Sequence, residues 1–207
     1  MNDNHLNIIG TGGHAKVVFD IASQNNEIVE AFYDDNIQVD RIDFNGFNIK
    51  CPISSLSNAR AIIAIGNNKI RKSISLNENN INWETLIHSS AIISENVKIE
   101  YGTLIVAGVI LQTNTLIGRH CIINTNASID HDCIINDFVH ISPSVTLCGN
   151  VVIGEGTHVG AGATIIPNIV IGKWCVIGAG AVVTNDIPDY SLVVGVPGEI
   201  IKTLLNE

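Results

Sequence analysis

The sequence predicts a small α/β unit followed by a parallel β-helix and a short closing tail. Three observations predict it. From Ile87 to Val183, seventeen aliphatic residues fall on an unbroken six-residue spacing. A helix would repeat near 3.6 residues and a strand at about 2, so a hexapeptide period reads as a coil of short parallel strands. Ahead of the repeat, short apolar runs alternate with helical patterns, as in a parallel sheet with crossover helices. Behind it, the period stops and Val194-Gly195-Val196-Pro197-Gly198 reads as a loop.

The elements follow in order. Leu6 to Ile9 is an apolar strand that runs into Gly10-Thr11-Gly12-Gly13. His14 to Asn25 carries a helical pattern with Val17, Val18, Ile21 and Ala22 on one side, and Asn25-Asn26 stops it. Val29 to Tyr33 is a second strand ending at Asp34-Asp35, and Ala61 to Ile65 a third ending at Gly66-Asn67-Asn68. Ile70 to Leu76 reads as a short helix. This places an α/β unit at 1–83, the repeat at 84–188, and a tail at 189–207 whose loop and short helix cap the coil. Open coil ends expose strand edges, so the α/β unit is expected to cover the other end.

Within the repeat, a small or β-branched residue precedes each aliphatic by two positions, from Ala91 through Cys121 and Cys133 to Ala181. Alternation points both residues of a pair inward. Three positions after the aliphatic, Asn, Gly, Asp or His prevail, residues that tolerate positive φ at corners. Phe138, Ser144 and Trp174 are exceptions. Three hexapeptides make one triangular coil of eighteen residues.

Composition bounds the function. A net charge of −9 argues against nonspecific nucleic-acid binding, which needs clustered Lys and Arg. The apolar runs are too short to span a bilayer, and the first residues lack the basic and apolar regions of a secretory signal. The five cysteines form no Cys-x-x-Cys pair, and three sit in inward slots, which fits a reducing, cytoplasmic setting.

Two stretches carry chemistry. The turn Gly10-Thr11-Gly12-Gly13-His14 joins a strand to a helix, where backbone amides can hold phosphate. It lacks the full G-x-G-x-x-G spacing, so a purely structural turn is the other reading. Asp34 and Asp35, and Gly66, Asn67, Asn68 and Arg71, follow the next strands; carboxyl ends of parallel strands are where such sheets bind ligands. In the repeat, Asp130-His131-Asp132-Cys133 offers a histidine general base with an adjacent carboxylate, or an exposed coil histidine and a plain corner residue. Gly149 lies eighteen residues on, one coil from His131 at about one strand spacing, roughly 4.8 Å. Its N–H could polarise a carbonyl there. His140 is half a coil from His131, so the two meet only between chains packed side by side. His158 repeats His140 one coil later, and the rings should stack.

Taken together, the chain resembles the PglD/NeuD-type nucleotide-amino-sugar acetyltransferases of the hexapeptide-repeat superfamily. The resemblance spans nearly the whole length. It rests on Ile9 to Ala15, Tyr33-Asp34-Asp35, Ala64 to Asn68 with Arg71, Leu86-Ile87-His88, Ile123-Asn124-Thr125, His131-Asp132, Phe138-Val139-His140 and Val194 to Pro197. It implies a left-handed β-helix, although the usual crossover preference is right-handed. It implies a homotrimer with active sites between subunits, acetyl-CoA as cosubstrate and no metal. Gly10, Gly12, Gly13, His14, Asp34, Asp35, Gly66, Asn67, Asn68 and Arg71 are then expected around the nucleotide sugar. His131 matches the family's base, beside Asp132 where the family usually has Glu, and Asn124 lies near the reacting groups. His140, Gly149, Ala161, Ala179, Val196 and Pro197 are expected along the coenzyme.

The implied reaction is acetyl transfer to the 4-amino group of a UDP- or dTDP-linked 4-amino-4,6-dideoxy sugar, for surface glycan synthesis. Three alternatives stay open: an O-acetyltransferase for a sialic-acid-like sugar, a non-catalytic nucleotide-sugar scaffold, and a zinc hydratase built on the stacked histidines. The last needs three converging ligands and an open position.

Overall fold

The computed structural model describes residues 5–36, 43–44, 46–78 and 80–204. Strand β1 (His5–Ile9), helix α1 (Gly13–Gln24) and β2 (Ile28–Tyr33) open the chain. Then come β3 (Asp43–Phe44), β4 (Phe47–Lys50), β5 (Arg60–Ile63), helix α2 (Asn68–Asn77) and β6 (Asn82–Trp83). They form one sheet in the order β3-β4-β2-β1-β5-β6, parallel throughout except for the β3–β4 pair. The alternating pattern of the sequence anticipates β1, α1, β2, β5 and α2. Strand β4 went unforeseen because Phe47-Asn48-Ile49-Lys50 is too short to show a period.

From Leu86 to Val183 the chain is a parallel left-handed coil of two-residue strands. Each strand pairs with those eighteen residues away, as Ile122-Ile123 does with His140-Ile141. The strands stack into three faces. The first carries residues 104–105, 122–123, 140–141 and 158–159, the second 128–129 and 146–147, the third 116–117 and 134–135. The aliphatics of the six-residue register, with Cys121, Ala127, Cys133 and Val139, form one buried core. The expected corner residues adopt positive φ, and so do Phe138 (+60°), Ser144 (+59°) and Trp174 (+54°). The left-handed region costs a side chain about 1–2 kcal/mol. Burial of Phe138, whose ring stacks on His120 at 5.5 Å and 2°, offsets that cost.

The α/β unit does not cap the coil's end. It lies along the first face, where the outward residues Leu86, Leu104 and Ile122 share a core with Leu6, Val18, Phe32 and Ile62. Ile87, Ile93 and Ile99 at the coil's start are only partly buried. The tail closes the other end as expected, but with different structure. Ile187 and Val193 cover the last coil from inside, and Ser191–Val194 pairs antiparallel with Glu199–Thr203. The expected short helix is thus a β-hairpin as far as residue 204; residues 205–207 lie outside the described residues. Ile200, Ile201 and Thr203 are β-branched and favour the strand.

Candidate active site

Two polar clusters and a pocket at the sheet's edge bear on the site. The pocket, about 500 Å³, lies at the carboxyl ends of β1, β2 and β5 and is lined by Gly10, Gly12, Gly13, His14, Asp35 and Gly66 among others. Gly10 is obligatory there. Its φ is +113°, and a Cβ would lie 2.8 Å from Ile65 Cγ1 and 3.0 Å from the Ala64 carbonyl oxygen. A Cβ on Gly12 or Gly13 would meet no protein atom within 4 Å, so the room above them is open to a ligand. Helix α1 starts at Gly13 with no side chain capping its N-terminus and no acidic residue in its first turn. Ala15 N donates back to the Gly12 carbonyl at 3.1 Å, and the amides ahead of it are placed to meet an anion.

Several residues expected around the ligand have other work. Asp34 Oδ2 accepts from Thr11 N at 3.0 Å and Thr11 Oγ1 at 2.6 Å, and Oδ1 accepts from Asn36 N at 2.9 Å, so this carboxylate braces the glycine turn. Asp35 Oδ1 accepts from Ile53 N at 2.7 Å. Asn67 caps α2, its Oδ1 accepting from Ile70 N at 3.1 Å. Arg71 corrects the expectation most clearly. It is 1% exposed, and its guanidinium donates to the carbonyls of Ile65, His120 and Phe138 and to Asn68 Oδ1. Asn68 Nδ2 donates to the Gly156 carbonyl at 3.0 Å. These two residues fasten α2 to the coil and do not face the pocket. Burial pushes the Arg71 guanidinium down to about 10, so it stays charged at neutral pH.

The first polar cluster lies where the outward residues of the first face change from Leu104 and Ile122 to His140 and His158. Those two rings stack at 4.8 Å and 3°. Asn124 Oδ1 accepts from Thr125 N at 2.8 Å, which turns its amide NH₂ toward His140 Nε2 at 3.2 Å. His140 Nε2 is then the acceptor, and Nδ1 carries the proton toward the Gly66 carbonyl at 3.4 Å. His158 Nε2 meets Ser142 Oγ at 2.9 Å. His14 lies 6.3 Å from His140, ring to ring, and its buried Nε2 meets no hydrogen-bond partner among the described residues. Desolvation first, and then the Arg71 charge, pushes His14 down to about 4; desolvation followed by His158 takes His140 to about 3. Both are neutral hydrogen-bonding groups at physiological pH. Among the described residues, no three His, Cys, Asp or Glu side chains converge as metal ligands.

The second cluster lies on the corner between the second and third faces. His131 Nδ1 meets Asp132 Oδ2 at 2.8 Å. A carboxylate only accepts, so Nδ1 holds the proton and Nε2 offers its lone pair. The Asp132 hydrogen bond and then the Asp130 charge raise His131 above the ordinary histidine value, and the same bond lowers Asp132. Gly149 lies against the ring as the register predicts: a Cβ there would fall 2.7 Å from Nε2. Cys133 points inward, buried, its thiol donating to the Cys148 carbonyl and pushed up to about 11 by desolvation. A buried neutral thiol is no acyl acceptor. Sequence reading missed Asn114, whose Nδ2 donates to Asp132 Oδ1 at 3.1 Å; its place eighteen residues earlier was the available signal.

Ala161 and Ala179 are exposed on the corner after the first face, joined by the Gly180 N to Ala161 O bond, and Val196 is 72% exposed in the turn of the tail hairpin. Beginning at Asn124, these residues line one edge of the coil. On the opposite edge, a groove of about 650 Å³ runs between α2 and the lower coils, past Lys72, His158, Trp174 and Tyr190.

Comparison with known proteins places this architecture. The family profile of the PglD N-terminal domain matches residues 5–77, and that of the bacterial transferase hexapeptide (six repeats) matches residues 150–185. A mutant of perosamine N-acetyltransferase from Caulobacter crescentus, solved in complex with CoA and GDP-perosamine, is 34% identical with a TM-score of 0.89, covering 96% of this chain and 97% of that one. The acetyltransferase domain of PglB from Neisseria gonorrhoeae FA1090, in complex with acetyl coenzyme A, is 36% identical with a TM-score of 0.90, covering 97% of this chain and 100% of that one. WeeI from Acinetobacter baumannii AYE is 28% identical with a TM-score of 0.83, covering 95% and 99%. Comparison with curated protein sequences gave no match. Full-length identity, the two profiles in order and the shared coil together mean that the chain belongs to the PglD/NeuD-type sugar N-acetyltransferases of the left-handed β-helix hexapeptide superfamily.

Proposed function

We propose that the protein transfers the acetyl group of acetyl-CoA to the 4-amino group of a nucleotide-linked 4-amino-4,6-dideoxy sugar, with His131 as general base. The observation that carries this reading is the corner dyad: Nδ1 of His131 on Asp132, and Nε2 unhindered above Gly149. The amine nitrogen attacks the thioester carbonyl carbon, and His131 Nε2 takes the amine proton. The Gly149 N–H faces the oxyanion as it forms. Collapse expels the CoA thiolate, which takes a proton as the imidazolium returns to neutral.

The nucleotide belongs in the pocket over Gly10–His14, its pyrophosphate at the start of α1. From there the sugar reaches the His14, Gly66 and His140 cluster. Acetyl-CoA runs along the edge marked by Asn124, Ala161, Ala179, Val196 and Pro197, with its thioester near His140. Within one chain the two polar clusters share no hydrogen bond, so the working site joins the first face of one copy to the His131 corner of another. Leu116, Ile134 and Val170 on the third face stay exposed in the single chain (39%, 40% and 48%), which supports a trimer that covers them. Five unpaired cysteines suit action in the cytoplasm, ahead of surface-glycan assembly.

The test is release of CoA thiol from acetyl-CoA with UDP-, dTDP- and GDP-linked 4-amino sugars as acceptors; GDP joins the panel because the Caulobacter crescentus relative was solved with GDP-perosamine. Turnover with one donor, lost in His131→Ala, is the expected result. Tight nucleotide-sugar binding without turnover on any amine would overturn it in favour of a scaffold, and turnover on a hydroxyl acceptor in favour of an O-acetyltransferase.

A further inference from the structure

Asn114, Asp132 and Asn150 occupy the same corner in successive coils, at φ of +60°, +59° and +59°. The Asp132 N to Thr113 O bond holds the first two in register. Asn114 Nδ2 donates to Asp132 Oδ1 at 3.1 Å, while Asp132 Oδ2 faces His131 Nδ1 at 2.8 Å. An aspartate's terminal torsion is broad and two-fold, so its backbone alone does not decide which oxygen meets the histidine. A second donor on the other oxygen does.

We infer that Asn114 is a positioning residue for the base: its amide holds one oxygen of Asp132 so that the other stays on His131 Nδ1. The inference rests on the reading of His131 as base and adds a residue from the coil before it. The short arm of aspartate gives the pair its purpose. At an exposed corner nothing packs around the carboxylate to hold it, and Asn114 supplies the hold. Lower in the same column, Asn150 Nδ2 donates to Asn168 Oδ1 at 2.9 Å, a polar pair with no ionisable member. That pair shows what a purely structural corner bond looks like; the Asn114 bond differs in ending on a carboxylate that faces an imidazole. The charged groups facing His131 are Asp130 and Asp132, both on its own coil. The coils on either side contribute Asn114, Gly149 and Asn150, none of which titrates.

Two substitutions test it. Asn114→Gly keeps the corner conformation and removes the amide; Asn114→Asp keeps the shape and replaces the donor with a second carboxylate. The readouts are the imidazole titration of His131 by NMR, its resonance assigned by its absence in His131→Ala, together with kcat, KM and the melting temperature. Asn114→Gly is expected to lower the His131 midpoint by about half a unit and kcat by roughly 3- to 10-fold, with KM and melting temperature little changed. Asn114→Asp is expected to move the midpoint the other way, upward, because it adds negative charge. An unchanged midpoint in both variants, or a loss confined to KM or to thermal stability, overturns the inference. Full activity in His131→Ala would instead overturn the base reading, and the midpoints would still decide whether Asn114 governs the imidazole.

Discussion

The two histidine clusters of this coil are built from the same residue on the same repeat, yet their chemistry is opposite. His131 stands on a corner, open to solvent, with carboxylates on both sides in sequence, and its proton affinity is raised. His140 stands on a face half a coil later, roofed by the start of α1 and by Gly66, among His14, His158 and the Arg71 charge, and its pKa falls to about 3. What packs over each position decides which. The His131 corner points away from the core into solvent and meets only its own neighbours, whereas the His120 corner is covered by Trp83 and Tyr101 and its imidazole is pushed down to about 4. A face side chain meets whatever packs on that face, and here that is the α/β unit. The coil thereby supplies one group that accepts a proton and another that stays neutral, and the proposed intersubunit site is what would bring them together.

The largest expected effect breaks the basic half. His131→Ala should cost about 10²- to 10⁴-fold in kcat with the fold intact, since positioned proton transfer is worth about that much. Steady-state kinetics and a melting curve on the same preparation check it, and a loss under tenfold would leave the dyad without a role. The next effect breaks the neutral half. His14 and His120 are held near 4 and His140 near 3, all below the unfolded value of about 6.5. Between those limits the unfolded chain binds protons that the folded chain refuses. The stability these groups contribute is whole above about pH 6.5 and drains away as pH falls toward 4, by several kcal/mol together. His131 carries the reverse sign, but at full exposure it adds little. Melting temperatures from pH 8 to 4.5 should fall from about pH 6.5, above the carboxylate range; a flat curve down to pH 5 would contradict the buried, neutral reading.

How much of this was legible beforehand follows the same division. The coil, its core and the stacking of Gly149 under His131 and of His158 under His140 are matters of register, and register is written in the sequence every six residues. Contacts between the unit and the coil are not. Arg71 is expected around the nucleotide sugar because it follows a glycine-asparagine turn at a strand end. Nothing local reveals that α2 lies against the corner column of His120 and Phe138, whose carbonyls take its donors. Asp34 does line the pocket, but its brace on the glycine turn was not legible, because its partner Thr11 is a neighbour only through sheet pairing. The tail hairpin was misjudged because Glu199–Thr203 is too short for its period to outweigh a helical guess.

Arg71 therefore offers a sharper test of the neutral half. Arg71→Met keeps most of the volume but leaves the carbonyls of Ile65, His120 and Phe138 without donors. The expected loss is about 3 kcal/mol at neutral pH, or roughly 5–10 °C in melting temperature. The same change removes a positive charge that depresses His14, His120, His140 and His158, so the acid-induced loss should shrink. Thermal melts of the variant at pH 8 and pH 5 read both effects. A nucleotide ligand would behave otherwise, losing substrate affinity with little change in stability.

The smallest effect probes the basic half through space alone. Gly149 has no positive φ, so alanine is allowed by the backbone, but its Cβ would fall 2.6 Å from His131 Cε1 and 2.7 Å from Nε2. Something must move. The inward neighbours Leu147 and Val151 lock the coil, and the imidazole is the free end. The ring should swing off Asp132 and away from the place where the amine proton leaves, at a cost of about 10- to 100-fold in kcat, since misplacement of roughly 1 Å is worth that much. The melting temperature should hardly change. Wild-type kcat in Gly149→Ala would mean that Nε2 does not work over this glycine, and the acceptor would have to approach the dyad from the side of Asp130.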